Sequence, residues 1–139
     1  MTIVLDTSVL VAFLHAGDPG HDHARAILRR VLAGEHGVPV TSDHVLDEGL
    51  TLLRRRPGRE EVSRKFAAMF HGHEKLPAFL RLHALDREGT RRAVALHFQR
   101  YDRGLSFTDC ALVVLAKELD APVASFDAHF DGLVERVGA

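Results

Sequence analysis

The chain has 139 residues, of which 46% are hydrophobic and 27% are charged, and its formal net charge is −1. This length is typical of one domain, here residues 1–139, with enough apolar side chains for a buried core. The near-zero charge excludes attraction to nucleic acid over the whole surface, and a single cysteine, Cys110, excludes an internal disulfide. Met1 leads directly into an apolar segment, and no apolar run reaches the ~20 residues of a membrane span. We therefore expect a cytoplasmic globular protein without membrane contact.

Strand and helix patterns alternate along the chain. In chain order, the patterns predict a strand over 2–5, helices over 8–14 and 23–32, a strand over 38–41, helices over 42–55 and 59–70, a strand over 78–85, helices over 86–101 and 106–119, a strand over 123–126 and a last edge strand over 133–137. Pro57-Gly58 ends the helix over 42–55. This alternation predicts a three-layer α/β/α fold, with a central and mainly parallel sheet of about four to five strands.

Four carboxylates lie beside apolar segments that are predicted to be core: Asp6, Glu48, Asp109 and Asp127. Burying one ionised carboxylate is costly, and a cluster of four adds mutual repulsion. Asp6 and Asp127 each follow a predicted strand, and ligands of open parallel sheets bind at the carboxyl ends of the strands. Carboxylate oxygens are suitable ligands for Mg²⁺ or Mn²⁺. The sequence therefore predicts a Mg²⁺ site that acts on phosphodiesters.

Each acid also has a simpler explanation. Ser106 and Asp109 have the spacing of a capping box, and Asp6 could cap the helix that follows it. Glu48 could be a solvated helix charge, and Asp127 a turn residue. These explanations do not predict that all four acids meet at one edge of one sheet. On a helical wheel Glu48 lies closer to the apolar face than its neighbour Asp47, so Glu48 is the acid predicted to face the protein.

Four short motifs occur in order along the chain: Ile3-Val4-Leu5-Asp6-Thr7-Ser8, Thr41-Ser42 with Glu48 in the next helix, Leu105-Ser106-Phe107-Thr108-Asp109, and Ser125-Phe126-Asp127 with Phe130. Together they resemble the PIN domain, and in particular the VapC-type toxins of bacterial and archaeal toxin–antitoxin pairs. Each motif is short, but the ordered set spans almost the whole chain. One departure is Ser125, which stands where threonine is common in the family.

The resemblance implies a Mg²⁺- or Mn²⁺-dependent endoribonuclease that hydrolyses RNA with metal-activated water. The acidic quartet of the family maps onto Asp6, Glu48, Asp109 and Asp127. We expect Asp6 and Asp109 to be the direct metal ligands, because one lies at a predicted strand end and the other at a predicted helix start. The implied partners are an RNA substrate, a VapB-like antitoxin and a second copy of the chain in a homodimer. Two alternatives remain open at this point: a PIN nuclease outside a toxin–antitoxin pair, and a silent PIN-like binding module.

Other candidate sites are weaker. The ten histidines include His21-x-His23 and His71-x-His73, but residues two apart point away from each other on a helix, and there is no second cysteine for a zinc site. We expect these histidines at the surface or at caps. The basic run 54–56 is diluted by nearby acids and is typical of a solvated helix end. A phosphoacceptor domain would need an acid next to Asp6 and a lysine after the last strands, and neither occurs.

Overall fold

The computed structural model describes residues 1–55, 60–74 and 77–138. In chain order its elements are β1 (Thr2–Leu5), α1 (Thr7–Leu14), α2 (His21–Leu32), β2 (Val38–Ser42), α3 (Asp43–Arg54), α4 (Glu60–His71), β3 (Arg81–His83), α5 (Arg87–Gln99), α6 (Phe107–Leu119), β4 (Val123–Ala124) and β5 (Arg136–Val137). Two short 3-10 turns, Tyr101–Arg103 and Ala128–Phe130, follow α5 and β4.

The sheet has five strands in the order β3-β2-β1-β4-β5, and every neighbouring pair is parallel. The chain moves outward from β1 to β2 and β3, and then returns to the other side of β1 for β4 and β5. Because such crossovers are right-handed, the outward path puts α1 to α4 on one face of the sheet and the return puts α5 and α6 on the other. The predicted three-layer α/β/α arrangement with a parallel sheet is confirmed.

Three strands are shorter than predicted, and one of them is β5, which covers only Arg136–Val137 of the predicted run over 133–137. β3 is the edge strand and pairs with β2 over only three residues, Arg81 to His83, so the rest of the predicted run over 78–85 has no strand partner. β4 ends at Ala124 because the hydroxyl of Ser125 accepts a hydrogen bond from the Asp127 amide at 2.9 Å and turns the chain. Pro57-Gly58, predicted to end a helix, lies outside the described residues.

The core is centred on β1 and α6. Ile3, Val4 and Leu5 of β1 are fully buried. The residues of α6 from Thr108 to Ala116 are all fully or almost fully buried as well. An element that is apolar all round must be covered on all sides, which explains the strongly apolar sequence of α6. None of the described helices is long and apolar enough to span a membrane.

The packing of α3 on α4 depends on one glycine. Gly49 of α3 is buried, and a Cβ atom placed there would collide with the ring of Phe66 on α4. Phe66 is itself fully buried, so it has no room to withdraw. The absence of a side chain at Gly49 therefore sets how closely α3 approaches α4, and with it the position of the neighbouring residue Glu48.

Candidate active site

A cleft of about 330 Å³ collects all four predicted acids. It lies where the chain order reverses in the sheet, because β1 and β4 are neighbours and Asp6 and Asp127 follow them. Such a reversal point is the usual ligand site of an open α/β sheet. The residues that line the cleft are Asp6, Thr7, Ser8, Val11, Asp18, Glu48, Leu52, Ser106, Asp109 and Asp127. Among the described residues, the lining therefore has five carboxylates and no lysine or arginine.

Asp6 is buried at the start of α1 and accepts three hydrogen bonds. Its Oδ1 accepts from the Thr7 amide at 2.8 Å, and its Oδ2 accepts from the hydroxyls of Ser8 at 3.0 Å and Ser125 at 2.7 Å. Burial raises the pKa of Asp6 from 3.8 to about 6, and the negative charge of Asp109 adds to this, although the serine hydrogen bonds oppose it. The cap explanation is thus confirmed for Asp6, and the carboxylate still faces the cleft.

Asp109 is both a capping residue and a member of the acidic cluster. Its Oδ2 accepts from the Ser106 amide at 3.0 Å, and its own amide donates to the Ser106 hydroxyl at 3.0 Å, which completes the predicted capping box. Burial raises the pKa of Asp109, and the charges of Asp127 and Glu48 raise it further against the lowering effect of the Ser106 hydrogen bonds. The capping box uses only Oδ2, so it is compatible with a second role for this carboxylate.

Glu48 and Asp127 complete the cluster from opposite elements. Glu48 is half-buried on α3 and lines the cleft together with Leu52 one turn later, whereas Asp47 is exposed. Asp127 is 36% exposed and caps the 3-10 turn, where its Oδ1 accepts from the His129 amide at 2.9 Å. The turn explanation therefore holds for Asp127 as well, and the structure brings all four acids into one cleft.

Several residues of the site were not expected from the sequence. Ser8 and Ser125 both donate a hydrogen bond to the same oxygen of Asp6. Asp18 lines the cleft as a fifth acid. The Nδ1 atom of His129 lies 3.1 Å from Asp127 Oδ1. The pairing of residues over 100 positions apart gives no local sequence signal.

The cleft fits a divalent cation by the chemistry of its donors. Within the described residues, no lysine or arginine forms an ion pair with Asp6, Glu48 or Asp109. Asp109, Asp127 and His129 each offer a ligand atom, and these atoms lie within 4.8 Å of one another. The hydroxyl of Thr7 is buried at the cleft and has no hydrogen-bond partner in the described structure. Oxygen-rich donor sets of this kind suit Mg²⁺ or Mn²⁺.

Comparisons with known proteins agree with this geometry. The PIN domain family matches residues 3–135. A VapC ribonuclease of Archaeoglobus fulgidus is 28% identical over 142 residues, covering 94% of this chain and 80% of that protein. The 23S rRNA-specific endonuclease VapC20 of Mycobacterium tuberculosis is 31% identical over 136 residues and 96% of each chain.

Solved structures share the same fold. The crystal structure of Mycobacterium tuberculosis VapC20, described as a Sarcin-Ricin loop cleaving toxin, superposes with a TM-score of 0.79, at 28% identity and 99% coverage of both chains. VapBC2 of Rickettsia felis, bound to a DNA fragment from its promoter, gives a TM-score of 0.70 at 15% identity, covering 99% of this chain and 98% of that one. The second likeness is one of fold alone.

The fold and the sequence together define the class: this chain belongs to the PIN domain family. Within that family, the VapC ribonucleases are the relatives it is similar to along almost its whole length.

Proposed function

We propose that this protein is a Mg²⁺-dependent endoribonuclease, with Mn²⁺ able to substitute, and the toxin of a type II toxin–antitoxin pair. The observation that supports this most directly is the convergence of Asp6, Glu48, Asp109 and Asp127 in one cleft, where no lysine or arginine is found among the described lining residues. The relatives of this chain include a ribonuclease and an rRNA endonuclease that match almost its whole length. An RNA substrate would be met in the cytoplasm.

The charge of the cleft argues for a required metal. Five carboxylates line it, so the phosphate groups of RNA would be repelled from it in the absence of a cation. A bound divalent cation would lower the pKa of a water molecule and offset the charge that develops on the phosphate. Substrate binding and metal binding are therefore coupled in this proposal.

The acids and serines of the cleft are proposed to have different roles in binding that cation. Asp6 and Asp109 are proposed as direct ligands because both are buried and fixed by hydrogen bonds at a strand end and a helix start. Ser8 and Ser125 hold Asp6 Oδ2 and so orient its carboxylate toward the cleft. Glu48 and Asp127 are proposed to complete the shell or to orient the attacking water.

A protein partner is the proposed regulator. The Rickettsia felis neighbour in fold is a VapBC complex, and we extend that kind of partner to this chain as a VapB-like antitoxin. An arginine or lysine from the antitoxin could pair with Asp6 or Asp109 and exclude the metal, because charge-assisted pairs with a carboxylate are among the strongest hydrogen bonds. We further propose a homodimer as the assembly that meets the antitoxin.

The experiment compares RNA cleavage by wild-type protein with two matched variants on α3. Wild-type protein should cleave 23S rRNA in Mg²⁺ or Mn²⁺ and lose all cleavage in EDTA. Glu48→Gln should reduce the rate strongly, whereas Asp47→Asn should leave it unchanged, because only Glu48 lines the cleft. Asp6→Asn should reduce the rate by more than the roughly 10–100-fold typical of residues that only support a metal ligand.

Full cleavage by Asp6→Asn, or cleavage that persists in EDTA, would contradict the metal mechanism. A larger loss from Asp47→Asn than from Glu48→Gln would show that the wrong acid was assigned. The toxin role is tested separately, by expression in cells: growth should slow, and co-expression of a short adjacent gene should restore it. Unchanged growth would leave a PIN nuclease outside a toxin–antitoxin pair.

A further inference from the structure

His129 lies at the acidic cluster although the family pattern of four acids does not include it. Its Nδ1 is 3.1 Å from Asp127 Oδ1, and a ring nitrogen of His129 lies within 4.8 Å of ligand oxygens of both Asp109 and Asp127. Among the described residues, no other group of three metal-ligating side chains converges in this way. The imidazole is 47% exposed, so burial does not explain its position beside the acids.

The distance between His129 and Asp127 is that of adjacent ligands around one ion. For an octahedral cation with ligand distances of roughly 2.0–2.2 Å, adjacent ligands lie about 3 Å apart and opposite ligands a little over 4 Å apart. The 3.1 Å between His129 Nδ1 and Asp127 Oδ1 matches adjacent ligands, and Asp109 offers a ligand oxygen within 4.8 Å of a ligand atom of each. A hydrogen bond between the ring and Asp127 accounts for the first distance but not for the nearness of Asp109.

The backbone around His129 is held from two sides. Its amide donates to Asp127 Oδ1 at 2.9 Å, which closes the 3-10 turn. Its carbonyl accepts from Arg103 Nη2 at 2.8 Å, and the same nitrogen donates to the carbonyl of Asp131 at 2.9 Å. The base of the side chain is therefore fixed relative to α6, since Arg103 lies just before the capping box of that helix. A ligand benefits from such preorganisation.

We propose that His129 is a nitrogen ligand of the cation that Asp6 and Asp109 hold, on the side where Asp127 completes the shell, and that it biases the site toward Mn²⁺ over Mg²⁺. The proposal rests on the proposed metal-dependent function and adds a residue and a cation preference to it. The chemical reason is that imidazole binds transition-metal ions well, whereas Mg²⁺ prefers oxygen ligands. Removing the imidazole should therefore weaken Mn²⁺ binding more than Mg²⁺ binding.

The test uses pulsed electron paramagnetic resonance of Mn²⁺ bound to full-length protein. Wild-type protein should show nuclear modulation from a coordinated nitrogen, and the modulation should change its pattern when the histidines are labelled with ¹⁵N. His129→Gln should lose the signal. His71→Gln is the matched control, because His71 is exposed on α4 and does not line the cleft, and it should keep the signal.

Titration calorimetry gives the second measurement. His129→Gln should weaken Mn²⁺ binding by roughly tenfold or more, and Mg²⁺ binding by a smaller factor. A thermal melt of the metal-free variant checks that it is folded. If the glutamine variant fails to fold, the nitrogen signal of wild-type protein alone decides the question, since only an imidazole among the side chains of the cluster carries nitrogen.

The outcomes separate this inference from the proposed function. Mn²⁺ binding with RNA cleavage, but without nitrogen modulation in wild-type protein, overturns the role of His129 and leaves the nuclease proposal standing. Equal weakening of Mn²⁺ and Mg²⁺ in His129→Gln means that the ring only positions Asp127 and also overturns the inference. Absence of any Mn²⁺ binding to wild-type protein overturns both.

Discussion

Aspartates in two regions of this molecule have opposite electrostatic surroundings. Asp6 in the cleft is buried, has no cationic partner among the described residues, and its pKa is raised to about 6. Asp131, in the loop before β5, is exposed, and its carboxylate accepts hydrogen bonds from Arg136 Nε at 2.7 Å and Arg136 Nη2 at 3.2 Å. These hydrogen bonds lower the pKa of Asp131. In the loop, Arg136 neutralises the charge of Asp131. In the cleft, no described lysine or arginine neutralises the carboxylates, so a bound cation would be needed to do so.

This difference teaches how to distinguish a functional acid from a structural one. A carboxylate that serves only the fold is usually exposed or paired, because burying an unpaired charge destabilises the folded state. The exposed pairs Glu60–Arg64 and Glu61–Lys65 on α4 follow that rule. Asp6 and Asp109 do not, since their pKa values are raised chiefly by burial. Burial of carboxylates without a cationic partner among the described residues is what we expect of a site that binds a cation.

The largest effect should come from removing the unpaired charge of Asp6. A pKa raised from 3.8 to about 6 means that the ionised form destabilises the metal-free protein by about 3 kcal/mol above pH 6, and that this destabilisation is relieved as the pH falls toward 3.8. Asp6→Asn should therefore raise the free energy of unfolding at pH 7 in EDTA, and the gain over wild type should shrink at pH 4.5. Urea unfolding at both pH values measures it, with Asp47→Asn as the control.

That prediction fails if Asp6→Asn destabilises the protein at pH 7 by more than it does at pH 4.5. Such a result would mean that the hydrogen bonds from Ser8 and Ser125 need the charged carboxylate more than burial disfavours it.

A somewhat smaller effect should come from filling the cleft with a cation. Saturating Mg²⁺ should stabilise the wild-type protein by about 2.7 kcal/mol at 100 times its Kd. Asp109→Asn should melt higher than wild type without metal, because asparagine can keep the cap while the repulsion from Asp127 and Glu48 is removed. It should also respond less to Mg²⁺. Thermal melts of both proteins with and without Mg²⁺ are the measurement, and an intact Mg²⁺ shift in the variant would limit Asp109 to its capping role.

The smallest effect should come from the paired region. Asp131→Asn should destabilise the protein slightly at neutral pH, with the opposite sign to Asp6→Asn, because its partner Arg136 loses a charge-assisted pair. Since the pKa of Asp131 is lowered, this stabilisation is present above pH 3.8 and is lost at more acidic pH. High salt should shrink the difference by screening an exposed pair. A difference that grows in high salt would contradict this assignment.

Most of the fold could be predicted from the sequence, because the elements at the centre of the core have the clearest apolar patterns. The apolar run of β1 and the nearly continuous apolar character of α6 allow only buried positions. The lengths of β3, β4 and β5 could not be predicted, because they depend on where a neighbouring strand ends and on one hydrogen bond of Ser125. These are consequences of the tertiary structure.

The part of the candidate site that follows from the sheet topology could be predicted from the sequence. Parallel strands bring the residues after β1 and β4 to one edge, so the meeting of Asp6 and Asp127 follows from the fold class. The hydrogen bond from Ser125 to Asp6 joins residues 119 positions apart, and nothing local signals it. His129 reaches the cluster only because the chain enters a 3-10 turn after Asp127. Roles in binding and chemistry for all these residues remain predictions to be tested as above.

Helix capping by the acids of the cleft has a consequence for reading related sequences. Asp6 is the N-cap of α1, Asp109 completes the capping box of α6, and Asp127 is the N-cap of a 3-10 turn. A lineage that no longer needed an enzyme would still be selected to keep aspartate, asparagine or serine there, since these residues cap well. Glu48 lies inside α3 and caps no helix, and its carboxylate makes no hydrogen bond to another described residue. Among descendants of this fold, the residue at position 48 should therefore be the first to drift when activity is lost, and its identity is the more informative sign of a working nuclease.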